Sequence, residues 1–346
     1  MTDLTLPHEI FENRKFEGVV LDPPEFKPGY WCGAGKLWID GDDYWLTSRP
    51  RAGADRRGYA AEIYRSGNGR DFALVKSLSK DEVSRMAGEN IQSIENQQLL
   101  KDPSTANWHL YLSLDVYREN AAGDAERVYE SKWETYLLTA RDPRGPWKGM
   151  GFVLRSDQDC DGAEARDSTI DIFHKDYVAL YKARPEGGSK VNMALATSED
   201  GITWKKHGVL RIDGKPQPDF FLLNGSIIST RGSPLFVGIQ TTDVVNGAAL
   251  SRKFASYTID FDRIQLGKVF LEDWTPGSIY EDPSYPIHTY STLALDESAG
   301  RWMMMVEAVD PTTGLEPGLN LEVDRVLLYT SKAGSKGSQI GKALRD

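Results

Sequence analysis

Charged residues crowd the front of one short apolar run, Ala163-Glu-Ala-Arg-Asp-Ser-Thr-Ile-Asp-Ile-Phe173. Its second half, from Ser168, alternates and is β-branched, which predicts a strand. Glu164, Arg166 and Asp167 stand directly before that strand. On an isolated surface loop such residues are solvated and inert. Four other short stretches offer comparable groups: Cys32-Gly-Ala-Gly-Lys36, Ser93-Ile-Glu-Asn-Gln97, Asn224-Gly-Ser226 and His288-Thr-Tyr290. If a fold brings all five stretches to one place, carboxylates, amides, an imidazole and an aromatic would rim a single pocket. Such a rim suits a ligand with many hydroxyls, and two carboxylates flanking one bond are what glycosidic cleavage requires.

The elements that would do this are strands. Helical periodicity is confined to Lys80–Glu89, with Ser79 as its cap. Elsewhere short alternating segments fall into sets. GKLWID, DYWLTSR, AAEIYRS and FALVKSL form the first set. ENQQLLK, WHLYLSLD, WETYLLTA and GFVLR form the second. STIDIFH, YVALYKA, NMALATS and GVLRID form the third, and GSIIST, PLFVGIQ, FASYTID and KVFLE the fourth. The last set has only TYSTLALD, RWMMMVEAV and DRVLLYT. This repeat length fits the four-stranded blades of a β-propeller with extended loops. The Ser-x-Asx-Gly-x-x-aromatic turns at Ser66 and Ser198 supply tight hairpins on one face. Long loops between second and third strands gather on the other face, where chemistry usually sits.

The expected architecture is therefore all-β: one domain over residues 1–346, with five antiparallel four-stranded blades over 31–330. Residues 1–30 form an N-terminal closing segment and 331–346 a polar tail. The missing strand of the last blade is expected from Glu17-Gly-Val-Val-Leu-Asp22, because an open edge leaves a row of unpaired backbone groups.

Composition narrows the function classes. The 346 residues carry a net charge of −10 without a basic block, which argues against a nucleic-acid partner. No apolar run reaches the roughly 18 residues of a membrane span. The start lacks the apolar core of a signal peptide, so a cytoplasmic location is expected, with Cys32 and Cys160 as reduced thiols. No cluster has metal-site spacing. No cofactor is expected beyond a structural calcium or a water at the propeller axis.

Asp40-Gly-Asp-Asp-Tyr-Trp-Leu46, Lys101-Asp-Pro103, Trp108-His-Leu-Tyr-Leu-Ser113, Ala165-Arg-Asp-Ser168 and Ser198-Glu-Asp-Gly-Ile-Thr-Trp204 together resemble the five-bladed β-propeller glycosidases. That broad group contains arabinanases, β-xylosidases, invertases and mannoside phosphorylases. Arg166-Asp167 looks like the invertase Arg-Asp-Pro, with Ser168 in place of proline. The resemblance implies that Asp167 steadies an oxocarbenium-like transition state and that Glu95 serves as the acid, its pKa raised by a partly buried site. It also implies an aspartate opening the first blade, where this chain has Gly33-Ala-Gly-Lys36; Glu281, in Glu-Asp-Pro283, is a substitute. Lys36, Arg49, Gln97, Arg166, Asn224, His288 and Tyr290 are the expected substrate-binding residues. The implied activity is hydrolysis of a glycosidic bond in a small saccharide or glycan end, by inversion. Phosphorolysis is the enzymatic alternative, with Lys36, Arg49, Arg51, Arg56 and Arg57 as an anion pocket. A non-catalytic carbohydrate-binding propeller and a protein-interaction propeller are the others.

Overall fold

The computed structural model describes residues 10–11, 13–53, 56–119, 129–217, 222–229, 234–245, 248–271, 287–309 and 323–333. Within them the chain is almost all strand. Ala34–Asp40, Asp43–Ser48, Ala60–Ser66 and Ala73–Ser79 form a first antiparallel set in chain order. Ile91–Lys101, Trp108–Glu119, Tyr129–Ala140 and Lys148–Leu154 form a second; Glu164–Phe173, Asp176–Arg184, Asn192–Ser198 and Lys205–Val209 form a third. A single parallel bridge, Trp133 to Glu164, joins the second and third sets into one continuous sheet. The fourth set runs Leu222–Ser229, Pro234–Val245, Ala248–Asp260 and Gln265–Leu271. Ile287–Asp296, Arg301–Val309 and Asp324–Lys332 make the last, and Lys15–Leu21 lies antiparallel on its third strand.

The segment GVLRID departs from expectation. Lys205–Val209 already completes the third set, and Arg211–Ile212 instead pairs in parallel with Gln265–Leu271. Its hydrophobic pattern is too short to say which neighbour it joins. The helix, Lys80–Ala87, has a full capping box between Ser79 and Glu82 and a left-handed Gly88 at its end.

The innermost strand of each set packs on the next, and that of the last set packs on Ala34–Asp40 of the first. Side-chain oxygens stitch these contacts. Thr292 accepts from the Leu37 amide (3.1 Å) and Ser226 from that of Leu293 (2.9 Å). Asp171 accepts from Ile227 (2.7 Å) and Gln98 from Ile170 (3.2 Å). Such bonds satisfy buried amides that have no ladder partner. Apolar clusters fill the wedges between neighbouring sets, such as Trp45–Leu99–Leu112–Leu138 between the first two and Phe254–Leu293–Val306–Leu327 between the last two. Apolar side chains alternate into these wedges, so the inward ends of the innermost strands are left for polar groups.

Every innermost strand has a register shift at the same level, near the end opposite the hairpin turns. The shifts fall between Ala34 and Leu37, Ile94 and Gln97, Arg166 and Thr169, Leu222 and Gly225, and His288 and Ser291. A bulge breaks strict alternation and re-aims the side chains within it. Glu95, Asp167 and Tyr290 sit in these bulges.

Candidate active site

Two carboxylates singled out in the sequence meet in one charged ring. Glu95 is buried and accepts hydrogen bonds from Arg49 (3.2 Å), Arg51 (2.9 Å), Arg57 (2.7 Å) and Ser93 Oγ (2.7 Å). Asp167, also buried, takes Arg166 (3.0 Å) and Lys182 (2.8 Å) on Oδ2. Lys182 donates onward to the Tyr290 hydroxyl (3.3 Å), and the Tyr290 ring lies 5.0 Å from the Arg49 guanidinium. On the other side, Arg166 and Arg57 lie 4.6 and 5.4 Å from the ring centre of one indole, Trp133. The contacts thus close a circle: Glu95, Arg49, Tyr290, Lys182, Asp167, Arg166, Trp133, Arg57 and back to Glu95. Trp31 backs Arg49 and Arg51 at 5.3 and 4.5 Å. Glu164 anchors Arg166 (2.7 Å) and Arg184 (2.7 Å) behind the circle.

Asp167 is held unusually. Its φ of 49° is left-handed, a conformation that costs a non-glycine residue about 1–3 kcal/mol. Ser113 Oγ accepts its amide hydrogen at 2.7 Å and pins the bulge. The result is a buried carboxylate whose Oδ1 has no hydrogen-bond partner among the described residues. An orphaned buried carboxylate oxygen beside two cations is unusual, because buried polar atoms are nearly always paired.

Both carboxylates are firmly ionised. Burial alone would raise Glu95, but Arg51, Arg49 and Arg57 outweigh it and hold its pKa well below the usual carboxylate range. Burial likewise opposes Lys182 and Arg166 at Asp167, and the cations win. The expected raised pKa of Glu95 is therefore corrected: three guanidiniums, far apart from it in sequence, stabilise its charge. Asp115 goes the other way. Burial raises its pKa, with smaller opposing effects from its bond to Ser131 Oγ and from Arg57.

The missing aspartate of the first set has a physical reason. Gly33 is left-handed (φ 61°), and a Cβ there would stand 2.6 Å from Arg49 Cγ. Carboxylates reach this point from the last set instead. Asp324 accepts the amides of Cys32 (2.6 Å) and Gly33 (3.0 Å), and Glu307 accepts that of Ala34 (3.0 Å) and the Arg49 guanidinium (3.1 Å). Burial, reinforced by Glu307, pushes Asp324 up to about 7, against the bonds from Cys32.

Other expected binding residues lie elsewhere. Lys36 pairs with Asp171 at 2.5 Å, a partner outside the ring. His288 turns outward, its imidazole against Phe254 and Tyr329 at 5.5 and 5.9 Å, and burial with Arg14 nearby lowers its pKa to about 3. A bulge puts successive side chains on faces that alternation does not predict, so the sequence does not show which way this histidine turns. Gln97 is fully buried below Glu95, and its amide atoms have no partner among the described residues. Arg56 stacks on Tyr59 at 4.5 Å rather than joining the anion pocket. The Asn224 side chain and Glu281 lie outside the described residues. Sequence reading missed Trp31, Trp133, Lys182, Glu307, Asp324 and Asp115. Only Glu307 gave a signal, as a lone acid within the apolar run RWMMMVEAV.

Among the described residues no group of His, Cys, Asp and Glu is arranged to hold a metal. No described helix is long and apolar enough to cross a membrane.

No protein-family profile and no curated protein matches the sequence. Solved structures do match. One described as a glycoside hydrolase superposes with a TM-score of 0.62 at 15% identity, covering 94% of each chain. A β-1,2-mannobiose phosphorylase from Listeria innocua, in complex with β-1,2-mannobiose, gives 0.57 at 12%, covering 96% of this chain and 99% of that one. A Xanthomonas citri GH43 enzyme complexed with xylose gives 0.56 at 10%, covering 89% of each chain. The chain shares its overall fold with these solved structures.

Proposed function

We propose that the five sets are the blades of a closed five-bladed propeller, with Lys15–Leu21 completing the last blade, and that the ring at its centre binds a carbohydrate and hydrolyses a glycosidic bond. The cyclic packing of the innermost strands and the pairing of the chain's two ends support the architecture. One observation carries the chemistry: Asp167 is strained, buried and ionised, with Oδ1 turned free inside a ring of cations and aromatics. Building this costs stability, and folds keep such strain where a ligand uses it. Trp133 and Tyr290 are the sugar-facing platforms, and Asp167 steadies positive charge at the anomeric carbon. Inversion is the expected outcome, water attacking from the face opposite the leaving group.

Phosphorolysis is the second reading, favoured by Arg49, Arg51 and Arg57 converging on one point. A panel of aryl glycosides and short oligosaccharides, assayed with and without inorganic phosphate, separates the two. Reducing-sugar release without phosphate supports hydrolysis; strict phosphate dependence replaces it with phosphorolysis. No turnover, with monosaccharide binding retained, leaves a non-catalytic binding propeller.

A further inference from the structure

We propose that Asp115, on the second strand of the second set, is the proton donor for glycosidic cleavage in this ring; this rests on the glycoside-acting reading above. Register places it. Ser93, Asp115 and Trp133 are direct partners across adjacent strands, and Trp133 bridges onward to Glu164. Directly opposed residues share one face of a sheet, roughly 5 Å apart. Asp115 therefore stands between the serine that holds Glu95 and the indole beneath Arg57 and Arg166.

Its partners set it apart from the other ring carboxylates. Glu95, Glu164, Asp167 and Glu307 are each ion-paired, and Asp324 is committed to backbone amides. No cation lies within ion-pair distance of Asp115 among the described residues; its bond is from Ser131 Oγ to Oδ1. The charged groups around it are Glu95 from the neighbouring strand, Arg57 from the first set and Arg166 from the third. Burial and Glu95 favour its neutral form, while Ser131, Arg57 and Arg166 oppose, and burial prevails. The two carboxyls of one ring are thus shifted in opposite directions, Asp115 up by burial and Asp167 down by Lys182 and Arg166, the divergence that an acid and its ionised partner require.

The step balances. The glycosidic carbon–oxygen bond breaks, its electron pair stays on the leaving oxygen, and the Asp115 proton goes to that oxygen. A solvent water forms the new bond to the anomeric carbon and passes its proton to bulk water, while ionised Asp167 steadies the positive charge. Exchange with solvent then returns the proton to Asp115.

Two measurements on the full chain test this. Infrared difference titration of wild type against Asp115→Asn should show a protonated-carboxyl band, absent from the variant, that persists above the ordinary aspartate range near about 3.9. A band lost at or below that range overturns the proposal. Aryl glycosides graded by leaving-group basicity form the second arm. Asp115→Asn should lose roughly 10²–10⁴-fold on poor leaving groups and far less on dinitrophenyl glycosides, with the alkaline limb of the pH profile gone. Asp115→Glu should restore part of the loss, which guards against a merely misfolded asparagine variant. An equal loss on every leaving group, with wild type active, overturns Asp115 as donor and leaves the glycosidase reading standing. A wild type silent on all substrates, with and without phosphate, overturns both.

Discussion

The openings of the first and third sets solve the same problem in opposite ways. At Cys32–Ala34 three consecutive amides are capped by Asp324 and Glu307, carboxylates borrowed from the last set. At Glu164–Asp167 the strand supplies its own carboxylates, and a left-handed bulge frees one oxygen of Asp167. Capping uses up lone pairs; the bulge spends conformational energy to keep one. The first arrangement secures the seam between the last and first sets. The second leaves a buried oxygen without a partner among the described residues.

Removing the key carboxylate at each place should therefore give opposite phenotypes. Asp167→Asn should cut turnover by about 10³-fold or more. Its Tm should move by less than about 2 °C, since roughly 1 kcal/mol shifts a chain of this size by about 1–2 °C and asparagine also tolerates the left-handed backbone. Kinetics beside calorimetry decide; a large fall in Tm would make Asp167 structural.

Asp324→Ala should do the reverse. Orphaning two buried amides costs about 1–3 kcal/mol each, so a fall in Tm of roughly 3–8 °C is expected. A silent variant would mean that the seam is held without this cap.

A pH series sharpens the contrast. Asp324 titrates near 7 when folded, above its unfolded value near about 3.9. Between those values the folded state binds the extra proton, so this contribution is complete below the unfolded value and is lost as pH rises through 7. Glu95 and Asp167 are depressed, so theirs is present above the unfolded carboxylate range and lost on acidification below it. Denaturant titrations from pH 4 to 8 should show the neutral-side decline flattened in Asp324→Asn and retained in Asp167→Asn.

The smallest effect is expected at Cys32. Its thiol lies 3.3 Å from Asp324 Oδ1, but the backbone amides carry the cap. Cys32→Ser keeps a donor, and its stability should change by less than about 1 kcal/mol. A greater loss would move the thiol into the cap itself.

The strand sets were legible because alternation, β-branching and Asx-Gly turns are local signals, as at GKLWID and at the Ser198–Trp204 turn. The helix was legible for the same reason: Ser79 and Glu82 form its capping box within a single turn. Even the placement of the N-terminal run beside Asp324–Lys332 came from a strand count and the need to cover an edge, which the observed pairing satisfies.

The site was legible only in part. Glu95, Asp167, Arg166 and Tyr290 could be gathered by assuming that strand openings converge, and Arg49 entered through the anion pocket weighed for phosphorolysis. The same rule also drew in Lys36 and His288, whose side chains contact Asp171 and the Phe254 and Tyr329 rings outside that circle, because it ignores the bulges that redirect side chains. The residues that set the protonation states could not be found this way. Asp324 meets Cys32 across 292 positions, and Arg49 meets Glu307 across 258. By itself the sequence determined where strands run and where they turn, since each of those choices is settled by a few neighbouring residues. Which carboxylate is clamped, which caps a backbone and which stays free was decided only by the tertiary structure, because burial and cation proximity exist only after distant strands have packed.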